Sequence, residues 1–146
     1  MSPVDRRVDR GGMTAVPVRT HRIAGTVLLV VATLVAWWAW TVWDLHYDVD
    51  PVTGAVSGPW SPWQITGSVL TVLLVVVVAV RRLPLWIVVP VVPLAFTTAW
   101  IATAVPNDDS GLFGVGALVV LAGTTAGTAV VAPLAALVQR RAVPVR

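Results

Sequence analysis

Leu73-Leu74-Val75-Val76-Val77-Val78-Ala79-Val80-Arg81-Arg82-Leu83-Pro84-Leu85-Trp86 is the stretch on which the fold turns. An apolar run meets two adjacent arginines and then gives way to a second apolar run. Val is a weak helix former in water and packs well on a pleated sheet, so four valines in a row invite a buried strand. Extending the stretch decides otherwise. The apolar character reaches back to Trp63 and forward to Val105, interrupted only at the arginines. A helix needs about 20 apolar residues to cross roughly 30 Å of hydrocarbon at 1.5 Å per residue. A lone strand there would leave its backbone groups unpaired, whereas a helix pairs them internally.

Outward from this pair, two more stretches satisfy the same test. The chain of 146 residues therefore reads as an all-α membrane protein with four transmembrane helices, over about 23–43, 63–80, 85–105 and 112–138. The mean hydropathy of +0.84 agrees with that class. Residues 1–22 are basic, rich in Gly and Pro and without helical period, which predicts a disordered cytoplasmic tail. Met13 is a second candidate start within it. Residues 139–146 form a second short tail. The first span follows a basic leader, as a signal peptide would. It is too long for one, however, and Trp37, Trp38, Trp40 and Trp43 stand where small cleavage-site residues belong.

Charge placement sets the orientation. All ten cationic side chains are arginines, and they lie before the first span, at Arg81-Arg82, or after the fourth. The other two loops carry Asp44, Asp48 and Asp50, then Asp108 and Asp109. The positive-inside rule then places both termini in the cytoplasm and the 44–62 loop outside. The pI near 11.1 invites a nucleic-acid partner. This distribution explains the basicity by topology instead, so no nucleic acid is expected.

Residue inventory excludes several classes. No ionisable group lies well inside a span, and proton relays and voltage sensors need such groups. Without glutamate the chain lacks the membrane carboxylate of small multidrug transporters. Without cysteine it forms no disulfide, thiol nucleophile or Cys-metal site. His21 and His46 lie outside the spans, so haem ligation within the bundle fails too. No cofactor and no catalytic residue is assigned.

Within the spans the polar groups are hydroxyls such as Thr33, Thr41, Ser68, Thr71, Thr97 and Thr103, expected to bond their own i−4 carbonyls or a neighbouring helix. Gly123-Thr124-Thr125-Ala126-Gly127 is a GxxxG, whose glycines let another backbone approach. Packing within the bundle is its first expected use and homodimerisation the second. Pro90 and Pro93 should kink the third span, a static bend being commoner than a gating hinge. The outer half is rich in indole. An interfacial belt is the ordinary reading, and an aromatic cup for a lipid, quinone or cationic head group the functional one.

The outer loop, Asp44–Pro62, is the most distinctive segment. Asp-Pro-Val-Thr-Gly at 50–54 is turn chemistry flanked by candidate arms at 47–50 and 55–57. Asp48 and Asp50, in a D-x-D near Asp44 and His46, are weak candidates for a divalent cation. The EF-hand template fails, because from Asp48 no Gly falls at the sixth position and Pro59 stands at the twelfth. A solvated turn is the favoured reading, and no metal is assigned.

The pattern Tyr47-Asp48-x-Asp50-x-x-Thr53-Gly54-x-x-Ser57-Gly58-Pro59-x-x-x-Trp63-Gln64 resembles the outer-loop signature of small uncharacterised four-span bacterial membrane proteins. Those proteins carry Tyr where this chain has Trp60. The resemblance implies the architecture and a bacterial plasma membrane, and supplies no mechanism. Together these readings lead to a non-enzymatic accessory or scaffold subunit whose outer loop meets a partner protein or an envelope lipid. Tyr47, Asp48, Asp50, Trp60, Trp63 and Gln64 are its candidate contacts. A homo-oligomer is a further expectation, and a transporter or channel component is the alternative.

Overall fold

In the computed structural model, residues 18–43, 48–49, 51–54, 56–57, 60–107 and 111–141 are described. They form four helices: α1 (Val18–Thr41), α2 (Pro62–Ala79), α3 (Leu85–Ala104) and α4 (Phe113–Arg141). All four are long and apolar enough to cross a membrane. Between α1 and α2 a two-residue antiparallel pair joins β1 (Asp48–Val49) to β2 (Val56–Ser57), with Asp48 opposite Ser57 and Val49 opposite Val56. Gly54 closes the turn between them at φ +67°, a left-handed conformation that residues with a Cβ resist. A 3-10 turn, Val105–Asn107, extends α3.

Two helices outrun the apolar stretches. α1 begins at Val18, so Arg19 and Arg22 are helical and the expected tail ends sooner than residue 22. Residues 1–17 lie outside the described residues. α4 continues to Arg141. A helix does not stop where hydrocarbon ends. Its backbone bonds remain satisfied in water, long basic side chains extend to the polar region, and Arg140 and Arg141 face the negative end of the α4 dipole.

The helices pack in the cyclic order α1–α2–α4–α3. α1 touches α2 and α3, α4 touches α3 and α2, and α2 with α3 meet only sparsely although a five-residue turn joins them. That turn hydrogen-bonds onto the end of α2, with Arg82 N–H donating to the Ala79 carbonyl at 3.0 Å and Leu83 N–H at 2.8 Å. Gln139 of α4 donates its amide to the Val77 carbonyl, 2.9 Å away. Terminal carbonyls of a helix have no intrahelical partner, and this contact supplies one.

The core has two parts. At the arginine end Leu29, Val76, Leu83, Val88, Val92 and Ala132 pack together. Leu83 reaches from the turn against Gly25 of α1. At the hairpin end Trp37, Phe96 and Ala99 form the second part, with Trp60, Val72 and Trp100 against them. α3 runs unbroken through both, with Pro93 buried and Pro90 facing outward. Most of the remaining surface is apolar, including Leu28, Leu70, Leu94, Leu118 and Val138. In water this would be one large adhesive patch, and in hydrocarbon it needs no cover.

Candidate functional site

The hairpin end is where chemistry gathers. Trp37 is 3% exposed and stands at the centre of an edge-to-face trio. Its ring centroid lies 5.0 Å from that of Trp60 and 5.1 Å from that of Phe96. Its indole N–H donates to the Thr103 hydroxyl at 3.3 Å, tying α1 to α3. A second group sits further out. Trp63 lies edge-on to Trp40 at 6.0 Å and stacks on Trp43 at 6.5 Å. Trp40 donates to the Thr71 hydroxyl at 3.0 Å and lies over Gly67, where a Cβ would come within 2.6 Å of the ring.

The indoles thus do two jobs. Trp43 and Trp63 are well exposed and suit an interfacial belt. Trp37 belongs to the core, and Trp40 to the α1–α2 seam.

Beneath the hairpin, α2 starts with Ser61 as its N-cap in extended conformation and Pro62 in the first turn. Both favour a helix start. The Gln64 side chain folds back, and its Oε1 accepts the Ser61 backbone N–H at 2.7 Å. This is one half of a capping box, and it draws Gln64 inward to 1% exposure. Gln64 therefore cannot serve as a surface contact in this conformation. The Ser61-x-x-Gln64 spacing carried that signal in the sequence.

Most hydroxyls behave as expected. Thr33 donates to Leu29, Thr41 to Trp37, Thr71 to Gly67 and Thr98 to Leu94, each to the i−4 carbonyl at 2.8–2.9 Å. The exceptions cluster at the hairpin end. Trp60 Nε1, Gln64 Nε2, Ser68 Oγ and Thr97 Oγ1 are buried without a hydrogen-bond partner. Sequence reading placed Ser68 and Thr97 among ordinary back-bonded hydroxyls, and nothing in their spacing marks them as different.

The expectation that Gly123 and Gly127 pack against another helix of the bundle does not hold within the chain. A side chain built on either would meet nothing within 4 Å. The close helix contact of α4 lies at Gly116 instead, where the Trp100 ring would be 2.5 Å from a Cβ. Trp100 spaces the α3–α4 contact at that level. Further along α4 the two glycines are left at an apolar groove of about 210 Å³ between α2 and α4, with Val72, Val76, Phe96 and Thr128 among its walls.

For the D-x-D the structure gives backbone only at Asp48, in β1, while Asp44, His46, Tyr47 and Asp50 lie outside the described residues. Among the described residues no three His, Asp or Glu side chains lie together as a metal site would require. No protein family, no curated protein and no solved structure matches this chain, so the outer-loop resemblance stands on its quoted residues alone.

Proposed function

We propose that the chain is a non-enzymatic accessory or scaffold subunit of a bacterial plasma membrane, with both termini cytoplasmic and the hairpin end outside. There it meets a partner protein or an envelope lipid. What supports this reading is the contrast between the two ends. At the arginine end Leu29, Val76, Leu83, Val88, Val92 and Ala132 fill the core, and the turn residues Arg81 and Arg82 are accounted for by topology. The hairpin end carries a Gly54-closed turn above exposed Trp43 and Trp63. Ordered loops with polar and aromatic groups are where binding resides.

The transporter alternative draws less support. Broken helices are the usual device of such proteins, and α3 remains continuous across both prolines.

The test is crosslinked affinity purification from native membranes, comparing the natural chain with Asp48→Ala plus Asp50→Ala. The double variant should insert and fold normally, because turn acids contribute little stability. It should nevertheless lose the crosslinked partner or lipid. Retention of the partner by the double variant, with loss on changing Thr97 or Pro93, would move the function into the membrane interior.

A further inference from the structure

We infer that the arginine end of the bundle is a binding surface for anionic phospholipid, with Arg22, Arg81, Arg82 and Arg140 as its cations. This goes beyond the outer-loop contact proposed above. It requires only that this end lie at a bilayer surface, so it stands whether or not the loop meets a partner.

The path of the chain brings the cations together. In the cyclic order α1–α2–α4–α3, α2 and α3 stand at opposite corners, so the turn joining them crosses the end of the bundle. It passes between the start of α1 and the end of α4, and a contact holds each side. On one side Leu83 lies against Gly25, where a Cβ would come within 2.9 Å of the Leu83 Cδ2. On the other, Gln139 donates to the Val77 carbonyl at 2.9 Å. The turn itself folds back on α2, with Arg81 N–H donating to the Val78 carbonyl at 3.2 Å.

Helix geometry then places the arginines. Arg22 stands one turn before Gly25 and two turns before the buried Leu29, so it continues the bundle-facing row of α1. On α4, Gln139 is directed inward, and Arg140 lies about 80° around the helix from the buried Ala132. Arg81 and Arg82 stand between these two helix ends. All four side chains are exposed. No Asp or Glu occurs within 18–25, 79–86 or 134–141, so these segments bring no carboxylate to offset them. Topology accounts for the side on which the arginines lie, and not for their convergence.

Charge complementarity calls for an anion, and the surroundings select a lipid. Trp86, exposed at the start of α3, marks the depth of the head groups. Just inward of the arginines, Val78, Leu137 and Val138 are exposed and apolar. A phosphate at the arginines therefore has acyl-compatible surface directly beneath it. A soluble anion or an acidic peptide would leave that surface bare. Guanidinium groups take phosphate through paired N–H donors, and basic surfaces at helix ends hold anionic head groups.

The experiment uses the full chain in a neutral detergent, titrated with phosphatidylglycerol or with phosphatidylcholine of identical acyl chains. Native mass spectrometry reads the bound lipid. Phosphatidylglycerol should reach half-saturation at a clearly lower concentration than phosphatidylcholine. Arg82→Gln should raise that concentration about threefold, within the worth of an exposed ion pair.

Arg141→Gln is the charge-matched control. Arg141 lies two and a half turns beyond Ala132 and points away from the bundle, so its loss should leave half-saturation unchanged. Arg22→Gln supplies a second test from another helix should Arg82→Gln misfold, with the same shift expected. Equal shifts for Arg141→Gln and the two site variants would reduce the effect to diffuse attraction and overturn the inference. So would equal half-saturation for the two lipids. Displacement of the lipid by inorganic phosphate or by hexaglutamate at matched charge would likewise overturn it, making this end a surface for soluble anions or acidic proteins.

Discussion

The division of labour among the tryptophans follows from helix geometry. Steps of three residues turn a helix about 60° short of a full revolution, so Trp37, Trp40 and Trp43 fan across about 120° and do not stack in a single line. Trp37, Trp40 and Trp43 recur every three residues in the sequence, and the belt and cup readings both take the indoles of the outer half together. The structure assigns Trp37 to the core, Trp40 to the seam and Trp43 to the outside. Trp37→Ala should therefore lower stability by roughly 3 kcal/mol through lost packing and the lost indole hydrogen bond to Thr103. Trp38→Ala, at a well-exposed position, should change it by less than about 0.5 kcal/mol. Denaturant titration in mixed micelles would measure both. Gln139→Leu should cost about 1 kcal/mol in the same assay, since it leaves the Val77 carbonyl without its donor.

At the scale of elements, the existence of four helices was legible because each apolar run is long enough to admit no other backbone in lipid. Their neighbours were not. A soluble helix announces its buried face by an apolar stripe, whereas these helices are apolar all round, and hydropathy does not separate lipid-facing from partner-facing sides. The GxxxG on α4 illustrates the difficulty. Its small residues promised a close contact, but the contact is made at Gly116 because Trp100 sets the spacing there. Gly116→Leu should therefore destabilise the bundle by roughly 1–3 kcal/mol through overpacking. Gly123→Leu should leave the melting temperature of the monomer unchanged. Thermal unfolding of both variants in one detergent would check the pair, and destabilisation by Gly123→Leu alone would place the intimate contact back at the GxxxG.

For the whole molecule, the wheel order α1–α2–α4–α3 has two consequences. It sets α2 beside α4, which makes the groove. It also brings the start of α2 over Trp37 and Phe96, which buries Gln64 and Ser68. The candidate site was only partly readable. Loop composition drew attention to the hairpin end, and Trp60 and Gln64 were singled out for surface contact. Their inward placement follows from a capping interaction and from tertiary packing across three helices, which a hydropathy pattern does not encode.

All of this presumes that the hairpin end faces away from the cytoplasm, the orientation expected from the absence of arginine in the 44–62 and 106–111 loops. Paired reporter fusions test that claim most directly. Fusions at Arg82 and after Arg146 should be active only as cytoplasmic reporters, and a fusion at Gly54 only as an exported one. Export of the Arg146 fusion, or cytoplasmic activity at Gly54, would contradict the account.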